Sequence, residues 1–313
     1  MELSKSKPPL PLRWGIVSGT LAMVLVGSSV AVSGTLVQAP LFAVQAVRYA
    51  ISVLLFSVIA KLTGLSIVRP RGREWFWLTG IATTGLVLFN LAVVRGVSRT
   101  GPAEIAVAVS CVPVVLGVVG PLLEGRVPSA RVILAALVVT VGAVVVEGAG
   151  RTGIDGILWA VLALLCEAAF TLLAIPVLLK HGALGVSFHA VWIAVIELAL
   201  ISLLTEGPTS VARFSESDWL ALLYLAFMVT AAAFLLWYFT VNELGAARAG
   251  LFTGVAPISA AFIGVAMGKV MPDAFVWLGM IIILIGLTVG LSSRRDGTPT
   301  EQDSPGALDG SAS

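Results

Sequence analysis

Residues 74–94 read EWFWLTGIATTGLVLFNLAVV, and 144 positions later residues 218–238 read DWLALLYLAFMVTAAAFLLWY. Both open on an acid followed by tryptophan, Glu74-Trp75 and Asp218-Trp219, and then run to their ends without another charge. A helix needs ~20 apolar residues to cross a hydrocarbon layer of ~30 Å, so each stretch is long enough to span a membrane. The same offset of 144 aligns Arg69 with Arg213, Gly101 with Gly245, Pro113 with Pro257, Gly120 with Gly264, Pro128 with Pro272 and Gly142 with Gly286, with no gap from Glu74 to Gly142. Chance agreement among common apolar residues would not select proline, tryptophan and glycine so consistently, so the chain reads as an internal repeat.

Outward from these two stretches, apolar runs recur along the chain. They predict ten spanning helices at 14–37, 40–59, 75–94, 101–123, 130–146, 154–179, 185–205, 217–240, 246–267 and 274–292. With 58% hydrophobic and 12% charged residues and a mean hydropathy of +1.04, the apolar surface exceeds what one soluble core can hide, and lipid must cover the rest. The runs are too long for membrane strands of ~9 to 11 residues and lack their alternation, which leaves an all-α integral membrane protein. Cys111 and Cys166 both sit inside apolar runs, so neither a disulfide framework nor a CxxC metal site is expected.

The loops between these helices fall alternately on two sides. One side collects Lys5, Lys7, Arg13, Lys61, Arg69, Arg71, Arg73, Arg126, Arg131, Lys180, Arg248, Arg294 and Arg295, thirteen of the nineteen basic residues. Arg95, Arg99, Arg151, Arg213 and Lys269 lie opposite. The positive-inside rule makes the richer side cytoplasmic and places both termini there, in an inner (plasma) membrane. The basic start and the small residues Ala31-Val32-Ser33 have the form of a cleaved signal peptide, but an uncleaved first helix also fits and is the expectation. Five helices per half is an odd number, so the halves enter from opposite sides as an inverted-topology repeat.

Three groups of residues tie the chain to a known family. Pro40-Leu41-Phe42-Ala43-Val44-Gln45-Ala46-Val47-Arg48-Tyr49 places proline before arginine in helix two, Ala106 through Pro113 leads to Glu124, and Gly245-Ala246-Ala247-Arg248-Ala249 leads to Pro257. In these the chain resembles the EamA-like branch of the drug/metabolite transporter superfamily. Family members commonly end helices four and nine with Gly-Glu, whereas this chain has Leu123-Glu124 and Gly268-Lys269. The resemblance implies a cytoplasmic N-terminal tail 1–13, EamA-like five-helix repeats at 14–148 and 154–292, and a C-terminal tail 293–313 whose composition predicts disorder. It also implies a secondary transporter, with export of amino acids or related amphipathic metabolites by alternating access.

An ionised residue at the bilayer centre costs roughly 2.5 to 3.5 kcal/mol on insertion scales, so each needs a partner or a water-filled cavity. On helix two, Gln45, Arg48 and Ser52 share a face by spacings of three and four, and Arg48 leads the candidates. Its fixed guanidinium fork suits a substrate carboxylate or phosphate, and a structural ion pair with Glu167 or Glu197 is the competing reading. Either of those acids could carry a coupling proton. Asn90 on helix three, Glu104 on helix four, and Trp237 and Tyr238 on helix eight complete the candidate cavity, although Trp and Tyr near a span end also serve as interfacial anchors. For His189, near the cytoplasmic end, interfacial solvation is expected. Pro113, Pro176 and Pro257 lie deep in their spans, where each is expected to kink its helix.

Gly148-Ala149-Gly150-Arg151-Thr152-Gly153 fits GxGxxG but follows a membrane helix rather than a strand, and Gly264 to Lys269 lacks the spacing of a phosphate loop. No cofactor, metal or nucleic acid is therefore expected. The anticipated partners are the lipid bilayer, a small-molecule substrate and protons. Two other classes remain open: an intramembrane enzyme using Glu167 or Glu197 as general base on a lipid-linked substrate, and a scaffold that transports nothing.

Overall fold

The computed structural model describes residues 12–33, 36, 38–100, 102–147, 154–266, 271 and 274–292. The N-terminal lysines, Gly148 to Gly153, Lys269 and the tail from 293 lie outside them. Among the described residues every regular element is helical. In chain order these are α1 (Leu12–Ser33), α2 (Leu41–Thr63), α3 (Glu74–Gly80), α4 (Phe89–Thr100), α5 (Pro102–Val109), α6 (Val112–Leu123), α7 (Ala130–Glu147), α8 (Ile154–Leu172), α9 (Ile175–Thr205), α10 (Glu216–Tyr224), α11 (Ala233–Leu244), α12 (Ala246–Leu251), α13 (Val255–Ala266) and α14 (Ala274–Leu291). Among the described residues six helical stretches are long and apolar enough to cross a membrane: Leu41–Thr63, Glu74–Gly96, Ile175–Thr205, Glu216–Leu244, Ala246–Ala266 and Ala274–Leu291. Val112–Leu123, Ala130–Val146 and Gly156–Leu172 are shorter apolar helices.

The two stretches that open the sequence reading each contain a widened helical turn. Between α3 and α4, Ile81–Leu88 is π-helical, and Phe89 N–H reaches back five residues to Thr84 O. Between α10 and α11, Leu225–Ala232 is π-helical, 144 positions later, and Ala233 N–H reaches Met228 O. Ala130 and Ala274, the first residues of α7 and α14, are separated by the same offset, as are Phe89 and Ala233 at the starts of α4 and α11.

Packing follows from small residues. The α7 helix lies against α14 and α2 against α9, while α1 packs on α11 and α13, and α8 on α4, α5 and α6. A Cβ on Gly142 would lie 2.8 Å from Gly279 O, and one on Gly279 would lie 2.6 Å from Gly142 O, so these two backbones touch directly. Such close approach is what drives association where lipid is as apolar as leucine. Leu54, Leu134, Leu204 and Phe275 face outward, as lipid contact requires.

The three expected proline kinks take a different form. Pro113 stands in the first turn of α6, after a turn at Ser110 and Cys111, and Pro176 stands in the first turn of α9, after a turn at Leu173 and Ala174. Pro257 follows the 3-10 turn Phe252–Gly254. Proline has no N–H to donate, so it fits the first turn of a new helix and the break falls just before it. The span expected at 154–179 consequently ends at Leu172, and α9 carries its own break at Gly182 (φ 64, ψ 175).

Gly142→Leu is expected to lower the melting temperature of the detergent-purified protein, because overpacking against a backbone carbonyl costs about 1–3 kcal/mol or more. Leu134→Ala, on the outward face, serves as the control, and equal melting of the two variants would contradict this packing.

Candidate functional site

Arg48 is 9% exposed and lies on α2 among polar groups of its own helix and of the Leu225–Ala232 turn. Its Nε–H donates to Thr230 Oγ1 at 2.7 Å and its Nη1 to Gln45 Oε1 at 3.3 Å. Ser52 Oγ bonds Arg48 O at 2.9 Å and Ala226 O at 3.1 Å, so the face formed by Gln45, Arg48 and Ser52 meets the widened turn rather than lipid. The guanidinium carbon sits 5.3 Å from the centre of the Tyr49 ring, a cation–π contact. A guanidinium carries five N–H donors, and these contacts use two of them.

Tyr49 links this arginine to Asn90 on α4. Its hydroxyl accepts from Asn90 Nδ2 at 3.3 Å, and Asn90 Nδ2 also bonds Leu86 O at 2.6 Å. Glu167 on α8 is half-buried. It accepts no hydrogen bond from a described residue. One turn further along α8, Thr171 Oγ1 accepts from Trp237 Nε1 at 3.0 Å, and Tyr238 Oη donates to Phe170 O at 3.1 Å. The Phe170 ring lies 4.9 Å from Phe234 and 5.1 Å from Tyr238, centre to centre. These contacts thus form two groups, Arg48 with Tyr49 and Asn90, and Trp237 and Tyr238 against the end of α8 that also carries Glu167.

The ion pairs among the described residues are Glu124 with Arg126 and Glu74 with Lys180, and His181 Nε2 lies 3.1 Å from Glu74 Oε2. Arg48 is in none of them, so the structural ion pair weighed from the sequence does not form with either acid. Glu197 is separate: its Oε1 accepts from Thr83 Oγ1 at 2.7 Å, in the Ile81–Leu88 turn, and its Oε2 is buried without a partner among the described residues. Trp237 and Tyr238 are core residues, 5% and 0% exposed, because α11 continues to Leu244 and leaves them well inside its end. His189 is buried rather than solvated at an interface, with Nε2 on Val68 O at 2.9 Å and Nδ1 accepting from Trp192 Nε1 at 3.0 Å. The side chain of Glu104 lies outside the described residues. Thr230 and Phe170 escape the sequence reading, since a lone threonine or phenylalanine in an apolar span has no distinguishing signal.

Comparison with known proteins places this geometry. The model of the EamA-like transporter family matches residues 13–147 and again 154–291. The uncharacterized transporter YetK of Bacillus subtilis (strain 168) is 27% identical over 290 residues, covering 89% of this chain and 87% of that protein. An uncharacterized transporter of Archaeoglobus fulgidus is 22% identical over 235 residues, covering 71% of this chain and 78% of the relative. A solved structure titled "Crystal structure of protein" superposes with a TM-score of 0.77 at 19% identity, over 88% of this chain and 96% of that one, a likeness of fold.

Thr230→Val removes the acceptor of a charged donor and is expected to destabilise the purified protein by about 1.5–3 kcal/mol, whereas Thr230→Ser retains stability. Thermal unfolding in detergent measures both, and a valine variant as stable as the parent would remove Thr230 from the arginine's support.

Proposed function

This chain belongs to the EamA-like transporter family and is a multi-pass membrane protein of transporter type; we propose that it exports small metabolites, amino acids or related amphipathic compounds, by alternating access. In this reading 14–148 and 154–292 are two five-helix repeats of inverted topology, ten crossings in all, with both termini on the cytoplasmic side of the plasma membrane. Support comes from the offset of 144 shared by both widened turns and by the starts of α7 and α14. The packing supports it too: exchanging each element for its counterpart maps the α7–α14 and α2–α9 contacts onto themselves and α1–α11 onto α8–α4. Two similar halves around one midplane site give outward-open and inward-open states of similar energy.

The observation that carries the reading is Arg48, buried with N–H groups to spare and no ion pair among the described residues, against the ring of Tyr49. A buried charge without a counter-ion is unfavourable to keep unless a ligand supplies one. Arg48 would take the anionic end of a substrate and the rings of Tyr49, Trp237 and Tyr238 its apolar part, while Glu167 or Glu197 carries the coupling proton. Transport without chemical change is the activity this reading assigns to the site.

Proteoliposome counterflow against a panel of amino acids, aromatic metabolites and amines is expected to give saturable exchange. Arg48→Ala should lower that exchange by ~100-fold, the factor for losing a charged hydrogen bond of about 3 kcal/mol, without loss of membrane insertion. Parental flux in the variant would remove Arg48 from the site.

A second expectation concerns coupling. Glu167→Gln or Glu197→Gln, whichever acid carries the proton, should leave exchange intact and abolish its response to an imposed pH gradient. If both variants respond to the gradient as the parent does, neither acid couples protons.

A further inference from the structure

Two helix starts lack a cap of their own, and each is closed by a carboxylate from the other half of the chain. The α2 helix begins after Pro40, which offers no side-chain bond, and Phe42 and Ala43 donate their N–H groups to Glu206 Oε1 and Oε2 at 2.9 and 2.8 Å. Ser202 Oγ bonds the same carboxylate at 2.9 Å. The stretch Ala246–Ala266 begins after Gly245, which has no side chain to offer, and Ala246 N–H donates to Glu124 Oε1 at 3.0 Å while Arg126 pairs with that acid. Gly245 has φ 79, a left-handed conformation that favours glycine, and a Cβ there would meet the movable ends of the Arg126 and Glu124 side chains. The leading N–H groups of a helix carry the positive end of its dipole, which is why an acid suits both places.

The two contacts lie at opposite ends of the bundle. Glu206 lies just before the helical stretch Glu216–Leu244, and Gly245 directly follows it. That stretch has 29 residues, which separates the contacts by ~40 Å at 1.5 Å per residue. Glu206 ties the start of α2 to the end of α9, and Glu124 ties the end of α6 to the start of α12. We propose that these two carboxylate clips are the gates of the transporter, one at each face. The proposal rests on the alternating-access reading. With both formed, the chain is closed at both ends; releasing one carboxylate lets its helix pair part at that face only. Water takes over both partners once a face opens, so each clip is strong when shut and weakly missed when open, as a reversible gate needs.

The test uses a reporter midway between the gates. In a background carrying Cys111→Ser and Cys166→Ser, Thr230→Cys places a single thiol beside Arg48, and a membrane-impermeant maleimide is applied from either face of sealed vesicles. Glu124→Ala is expected to raise labelling ~10-fold or more from the face that carries Arg126 and leave the other face unchanged. Glu206→Ala is expected to do the reverse. Glu→Gln at either position keeps an acceptor oxygen and should fall between alanine and parent; these variants carry the test if an alanine variant fails to fold. Increases from the same face for both, or labelling at parental rates for both, would overturn the gate assignment. A parent that exchanges no compound in counterflow would defeat the transport reading instead, and the labelling asymmetry would still be measurable.

Discussion

The arrangement depends on one constraint: a guanidinium held inside an apolar bundle must be given polar contacts that lipid cannot supply. Arg48 receives its shortest one from Thr230, on the far half of the chain, at 2.7 Å. That bond reaches Thr230 within the widened turn Leu225–Ala232, and the same turn presents Ala226 O to Ser52. Widened turns interrupt the regular backbone ladder and recur at functional positions in helices. Here the turn lets α2 present its polar face inward, and its counterpart at Ile81–Leu88 holds Thr83 against Glu197. The two halves are therefore joined at depth by polar contacts to each other's widened turns and at the ends by Glu206 and Glu124.

Much of this was legible in the residues. Lipid demands ~20 apolar residues per crossing, so the six long apolar stretches can be read from hydropathy, and the shared prolines and glycines expose the offset of 144. The spacing of Gln45, Arg48 and Ser52 put the polar face on the correct side of α2, since a charged residue has only one tolerable direction in a membrane helix. The rest depends on contacts between residues far apart in sequence. No residue type encodes a π-helical turn, so Ile81–Leu88 looks like ordinary helix in sequence. Trp237 and Tyr238 seemed near a span end because hydropathy falls off before Leu244, although the helix itself goes on. The Glu206 contact joins residues 164 positions apart, beyond the reach of any local pattern.

Matching bounds with unmatched chemistry fit the proposal of one site rather than two. The positions 144 residues from Arg48 and Glu167 are Trp192 and Met23, and Thr230 corresponds to Leu86. The backbone repeats, but the Arg48–Thr230 bond has no counterpart, because Trp192 and Leu86 stand at the matching positions. In the proposed mechanism, symmetry in the scaffold would keep two conformations close in energy, and asymmetry in the side chains would allow a single substrate orientation.

The most direct test is an experimental structure with a compound active in counterflow bound to the full chain. An anionic group of that compound on the free N–H groups of Arg48, with Tyr49, Trp237 or Tyr238 against its apolar part, is the expected result. A ligand lodged elsewhere, with Arg48 still bonded only to Thr230 and Gln45, would contradict the account.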